Sequence, residues 1–183
     1  MIDKKLIAVI KKGSIGVMPT DTIYGLVGSA LSQKTVERIY RIRKRNLKKP
    51  VIVLIGDLAD LARFGIKPTP RVKTFFGKIW PGPYSVVLPC PSVALRGGGP
   101  CPGKKFAYLH RGTETLAFRL PKPQWLRALL RATGPLVAPS ANPEGKPPAK
   151  TVAGAKKYFG TKVDFYVSGE TRAAASTLLE VKR

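Results

Sequence analysis

The chain has 183 residues, enough for one domain with a proper core, and its 44% hydrophobic content excludes wholesale disorder. Its 33 Lys and Arg against 10 Asp and Glu leave a net charge of +23, which points to polyanions: nucleotides, nucleic acid or acidic membranes. Two cysteines and one histidine are too few for a structural zinc site, so Cys90 and Cys101 are read as free thiols.

Leu6, Val9 and Ile10 follow Ile2 at helical spacing, and Gly13 stops that helix. Ile15 to Met18 reads as a buried strand ending at Pro19. Ser32 caps a second helix with Val36, Ile39 and Tyr40 on its apolar face. Val51 to Ile55 is a strand of branched residues. Asp57 caps a helix through Leu61 that Gly65 closes, and Thr69-Pro70 begins the next, with Val72, Phe75 and Phe76. Tyr84 to Leu88 and Leu116 to Leu120 read as strands, as does Phe106 to Leu109, with His110 at its end. Trp125 to Ala132 is a helix stopped by Gly134-Pro135. Val152 to Phe159 is another, and Val163 to Val167 a last strand. Helices and strands alternate without repeat or linker, which predicts one α/β domain with a mixed sheet. Neither a signal peptide nor an apolar run near the roughly 18 residues of a membrane span is read, so a cytoplasmic protein is expected.

Gly98 to Lys104 fits the start of a phosphate-binding P-loop, but Lys105 stands where Ser or Thr would bind magnesium. Pro100 and Pro102 also remove two backbone donors, so a basic Gly-rich loop around Arg96-Gly97-Gly98-Gly99 is the better reading. Arg41, Arg43, Lys44, Arg45, Lys48 and Lys49 fall within nine residues with no acid between them, and their mutual repulsion asks for an anion. Arg119 sits inside the apolar strand Ala117-Phe118-Arg119-Leu120 and needs a partner. Either it pairs with one of the few carboxylates or it awaits an anionic ligand; the scarcity of acids favours the ligand. Pro139-Ser140-Ala141-Asn142-Pro143 is a polar turn after an apolar strand. Pro19 to Leu26 is a polar strand-to-loop edge of the kind that binds ligands in α/β folds.

Taken together, Pro19-Thr20-Asp21-Thr22-Ile23-Tyr24-Gly25-Leu26, Arg43-Lys44-Arg45 with Lys49-Pro50, Trp80-Pro81-Gly82-Pro83, Phe118-Arg119-Leu120-Pro121, Ala138-Pro139-Ser140-Ala141-Asn142 and Ser176-Thr177 resemble, in order, the YrdC-domain family of threonylcarbamoyl-AMP synthases (TsaC type). The resemblance covers nearly the whole chain. It implies a single YrdC-like domain over 1–183, a twisted mixed α/β sheet with flanking helices and a basic concave face. It also implies a reaction: L-threonine, bicarbonate and ATP give threonylcarbamoyl-AMP and pyrophosphate, for N6-threonylcarbamoyladenosine in tRNA.

Residue by residue, the resemblance places Thr22, Arg119, the Ala138 backbone and Ser176 on L-threonine. It places Arg43, Arg45, Lys49, Thr115, Ser140, Asn142 and Pro148 on ATP. Leu54 falls where the family has another threonine contact, usually histidine. Arg43 stands where the family usually has lysine, and no counterpart of its later Arg-x-Gly segment is found up to Arg183. Mg²⁺ is implied as the companion of ATP, held by phosphate oxygens and water, with no protein metal motif. The partners implied are tRNA or double-stranded RNA and a downstream tRNA threonylcarbamoyltransferase complex. The rival reading is a YrdC-like RNA-binding protein without this activity.

Overall fold

The structure is a computed structural model that describes residues 3–90, 102–171 and 174–180. The Gly-rich stretch Arg96–Gly99, most of the P-loop near miss, Cys101 and the terminal Lys182-Arg183 lie outside the described residues.

Asp3 caps α1 (Lys4–Lys11) through the Lys5 N–H. β1 (Gly16–Pro19) and β2 (Tyr24–Ser29) form an antiparallel hairpin in which Pro19 opposes Tyr24. The edge expected from Pro19 to Leu26 is therefore a strand end, a turn and the start of a second strand. Ser32 caps α2 (Gln33–Arg43) as expected, and Lys44 ends it in the left-handed region at φ 50°. β3 (Ile52–Leu54) leads into a 3₁₀ helix (Leu58–Phe64) capped by Asp57, tighter than the expected α-helix. Then follow α3 (Pro70–Ile79), β4 (Tyr84–Pro89), α4 (Pro102–Lys105) and α5 (Ala107–His110). The expected strand at Phe106–Leu109 is thus helical, because four apolar residues carry no period that separates helix from strand. The chain ends with β5 (Thr115–Arg119), α6 (Gln124–Thr133), β6 (Leu136–Val137), α7 (Val152–Phe159), β7 (Phe165–Tyr166) and β8 (Thr177–Glu180).

The eight strands make one mixed sheet in the order β7-β1-β2-β6-β3-β5-β4-β8. β3 runs parallel to β5, and β4 parallel to β8, while β4–β5 and β3–β6 are antiparallel. Side chains alternate across each strand, so each strand serves both faces. On one face Val53, Val86, Leu116 and Phe118 join the core beneath α2, α3 and the 3₁₀ helix. Phe64 is its hinge point, with ring centroids 4.9 Å from Phe106 and 5.0 Å from Phe118. On the other face Leu54, Leu136, Met18 and Val27 are covered by Ile10 of α1 and by Leu126, Leu129 and Leu130 of α6. Those two helices cover only part of that face.

A Cβ at Gly56 would lie 2.7 Å from the Arg131 N and 3.0 Å from the Arg127 O of α6. Both are backbone atoms that cannot rotate aside, and the Gly56 N–H is committed to Asp60 Oδ2 at 2.9 Å. Gly56→Ala is therefore expected to cost about 1–3 kcal/mol, read as a lower urea midpoint at unchanged slope. At the opposite end Asp164 accepts two hydrogen bonds from Arg38, at 2.6 and 2.8 Å, and one from the Ile15 N–H at 2.8 Å. Arg38 chiefly holds its carboxyl below the ordinary range, against a smaller opposing effect of burial. A depressed folded pKa stabilises above the unfolded value and is lost as pH falls. Asp164→Asn should thus lower the urea midpoint at neutral pH, with the difference shrinking in acid as wild-type Asp164 itself protonates.

Candidate functional site

Where α1 and α6 leave the sheet uncovered, a cleft of about 480 Å³ opens. Its floor follows from strand alternation: Thr115, Ala117 and Arg119 of β5 point into it, while Leu116 and Phe118 point into the core. Ile52 of β3 and Val87 of β4 extend the floor, and Leu178 and Glu180 of β8 form one rim. Leu54 shares the face of Ile52 but is fully buried under α6, so it does not line the cleft.

The β1–β2 turn forms the wall at one end. Thr20 donates its hydroxyl to the Ile23 carbonyl at 2.7 Å, and its oxygen lies 3.0 Å from the Thr22 hydroxyl. Thr22 is then the donor of that second bond, which turns its own lone pairs towards N–H or O–H donors in the cleft. Beside it, Arg119 Nη2 meets Asp21 Oδ1 at 3.2 Å, both side chains only 4% exposed. Asp21 is thus a carboxylate partner of Arg119, reached through Nη2. The Arg119 Nε nevertheless has no hydrogen-bond partner. Burial lowers the Arg119 pKa, and Asp21 opposes that shift. Ser176, just before β8, accepts from the Ser85 hydroxyl at 3.0 Å. The Ala138 N–H is taken by Ile52 O at 3.1 Å, so its carbonyl is the backbone group left for a ligand. A smaller recess of about 260 Å³ shares Thr20 and adds Asp21, Lys122 and Glu170.

The other end is basic. Arg45 lines the cleft, donates to Pro50 O at 2.7 Å and has a buried Nε without a partner. Ser140 lines it too, on the turn that follows β6, and Thr115 bonds Thr113 at 3.1 Å. Arg43, by contrast, is buried and outside the lining. It donates to Asn142 O at 2.8 Å, Ser140 Oγ at 3.1 Å and Asn142 Oδ1 at 3.3 Å. Burial, then repulsion from Arg45, lowers its pKa to about 10. Asn142 is buried and spends its amide on Pro143 O and Lys146 O, so it shapes the turn. Lys49 and Pro148 also lie outside the lining, and Pro148 is exposed.

The anion that the basic cluster asks for is partly internal. Glu144 pairs with Lys49 and accepts from the Asn46 N–H. Lys49 first, then Asn46, holds the Glu144 carboxyl below its ordinary range. His110 ends α5 rather than a strand, and it is a buried anchor: one ring nitrogen lies 2.9 Å from Gly103 O, and the other accepts from the Gly112 N–H at 3.1 Å. Buried Cys90 is a free thiol raised to about 11 by burial and Glu114.

The Sua5/yciO/yrdC family model, described as "Telomere recombination", matches residues 8–183. The chain belongs to the Sua5/YciO/YrdC family. A threonylcarbamoyl-AMP synthase of Bacillus subtilis is 33% identical over 141 residues, covering 76% of this chain and 38% of that protein. Another, from Halorhodospira halophila, is 31% identical over 165 residues, covering 88% of this chain and 80% of that protein. The crystal structure of Pyrococcus abyssi Sua5 complexed with L-threonine matches with a TM-score of 0.82 at 27% identity, over 97% of this chain and 50% of that one. The chain therefore spans half or less of the Bacillus and Pyrococcus proteins.

Sequence reasoning missed several residues of this Sua5/YciO/YrdC cleft. Ile52, Val87 and Glu180 all line it. Strand alternation from Thr115 and Arg119 would have found Ala117, but the cross-strand neighbours Ile52 and Val87 depend on register, which the sequence does not display.

Proposed function

We propose that this protein is an L-threonylcarbamoyladenylate synthase, a nucleotidyltransferase that makes threonylcarbamoyl-AMP and pyrophosphate from L-threonine, bicarbonate and ATP. The observation that carries this reading is one cleft lined at one end by Thr22, Arg119 and Ser176 and at the other by Arg45, Thr115 and Ser140. Relatives named as threonylcarbamoyl-AMP synthases, and a family structure holding L-threonine, support it.

On this reading the Arg119 guanidinium takes the threonine carboxylate, and Thr22 accepts from the amino-acid amine or hydroxyl. Ser176 and the Ala138 carbonyl complete that end. The amine adds to the carbon of bicarbonate with loss of water, giving a carbamate. A carbamate oxygen then attacks the α-phosphorus, the bond to the β-phosphate bridge breaks, and pyrophosphate leaves. The protein supplies alignment and positive charge, which is what phosphorus transfer requires, so no side-chain base is assigned. Arg45 and Lys49 neutralise the triphosphate, with Lys49 exchanging Glu144 for a phosphate oxygen. Thr115 and Ser140 orient the nucleotide. Arg43 and Asn142 serve it indirectly by holding Ser140. Mg²⁺ enters as Mg·ATP; no group of three or more His, Cys, Asp or Glu able to hold a metal occurs among the described residues. The labile product passes to a tRNA threonylcarbamoyl-transferring partner in the cytoplasm. Among the described residues, no helix is long and apolar enough to cross a membrane.

The test follows pyrophosphate release with ATP, Mg²⁺, bicarbonate and a panel of amino acids. Release that needs both L-threonine and bicarbonate is the expected result. No release, with tight salt-sensitive RNA binding instead, would sink the synthase reading.

A further inference from the structure

We propose that Arg111, which lies outside the cleft lining but shares the Tyr40 ring with Arg45, is a phosphate-binding residue that acts with Arg45 to hold the triphosphate of ATP at the nucleotide end of the cleft. The identity of that anion rests on the synthase reading; the anion site itself does not.

Tyr40 ties the two cations together. Its ring sits on the buried stripe of α2, and its hydroxyl donates to Lys49 O at 2.6 Å, which ties the ring to the basic segment. The Arg111 Cζ lies 4.2 Å from the ring centroid and the Arg45 Cζ 5.8 Å from it. One ring thus carries two guanidinium groups, and one of these lines the cleft. Stacking spends the face of a guanidinium and leaves its edge donors for another partner.

Those donors lack one. The Arg111 Nε and Nη2, the Arg45 Nε and the Arg43 Nη1 are all buried without a hydrogen-bond partner. Buried donors are almost always paired in folded proteins, because desolvating them unpaired is costly. Arg43 commits its other donors to the Ser140–Asn142 turn, so it is the three donors of Arg111 and Arg45, two cations on one ring, that fit an anion such as a polyphosphate.

The backbone supports the same assignment. Arg111 sits at φ 52°, a left-handed conformation that bulky residues seldom adopt. His110 before it and Gly112 after it are pinned together by the ring-nitrogen bond, so the Arg111 side chain leaves a fixed base. The loop then runs to Thr113 and Thr115, and Thr115 lines the cleft. This also gives buried His110 a task outside the chemistry.

The experiment is calorimetric titration with inorganic tripolyphosphate of the wild type, Arg111→Gln and Arg111→Lys, with near-ultraviolet circular dichroism and melting temperature to establish folding. Arg111→Gln is expected to raise the Kd about tenfold or more, with Arg111→Lys between. L-threonine affinity should not change. An unchanged tripolyphosphate Kd in folded Arg111→Gln overturns the proposal. So does a wild type that ignores tripolyphosphate, or a variant whose fold collapses for both substitutions, since Arg111 would then serve packing. Arg111-dependent tripolyphosphate binding without threonine- and bicarbonate-dependent pyrophosphate release leaves this site standing and removes the synthase reading.

Discussion

Arg119→Ala is expected to destabilise the domain by about 3–5 kcal/mol and to abolish productive use of threonine. Two effects combine. Removing the guanidinium takes away the ion-pair partner of the Asp21 carboxylate, itself only 4% exposed. It also removes the donor that the reading assigns to the substrate carboxylate, worth about 2–4 kcal/mol in apparent threonine binding. The double variant Asp21→Asn/Arg119→Met separates them. With no charge left buried, the urea midpoint should recover most of its loss, because an ion pair replaced by neutral groups of similar volume is often tolerated. Threonine-dependent pyrophosphate release should not recover. A double variant that regains both stability and threonine dependence would show that Arg119 is only a structural partner of Asp21.

That pair also shows what the sequence could and could not disclose. Arg119 was conspicuous as a cation in an apolar strand, so the need for a partner was legible. Which partner was not, because Asp21 is brought beside it by the sheet order β2-β6-β3-β5, and long-range pairing leaves no local mark. Thr115, Arg119 and Ser140, far apart in sequence, line one cleft. The cleft exists because α1 and α6 cover only part of the sheet face, a fact about helix placement that no motif contains. Ser32, Asp57 and Thr69 were legible as caps because a capping side chain bonds within three residues of itself. The β1–β2 hairpin was not seen, since its polar turn resembles any ligand-binding loop.

Arg43 is the instructive case, and it yields the second strong expectation. In sequence it belongs to a run of cations whose mutual repulsion asks for an anion. Its position says otherwise: Val36, Ile39, Tyr40 and Arg43 share one helical stripe, and all four are buried. A cation at the end of an apolar stripe must find its partners inside, and Arg43 finds them on the Ser140–Asn142 turn. Arg43→Met keeps the stem and removes the donors, leaving Asn142 O and Ser140 Oγ without their partner. A loss of about 2–4 kcal/mol in unfolding free energy is expected. The kinetic consequence should be one-sided. Ser140 lies at the nucleotide end, whereas Ala138 is fixed independently by its bond to Ile52 O. The KM for ATP should therefore rise while the KM for threonine changes little. Arg43→Lys restores the charge but offers a point of donors where the guanidinium bridges three acceptors, so it should recover part of the stability and part of the ATP affinity. Equal losses for both substrates, or wild-type ATP kinetics in Arg43→Met, would deny Arg43 the task of holding Ser140 in place for the nucleotide.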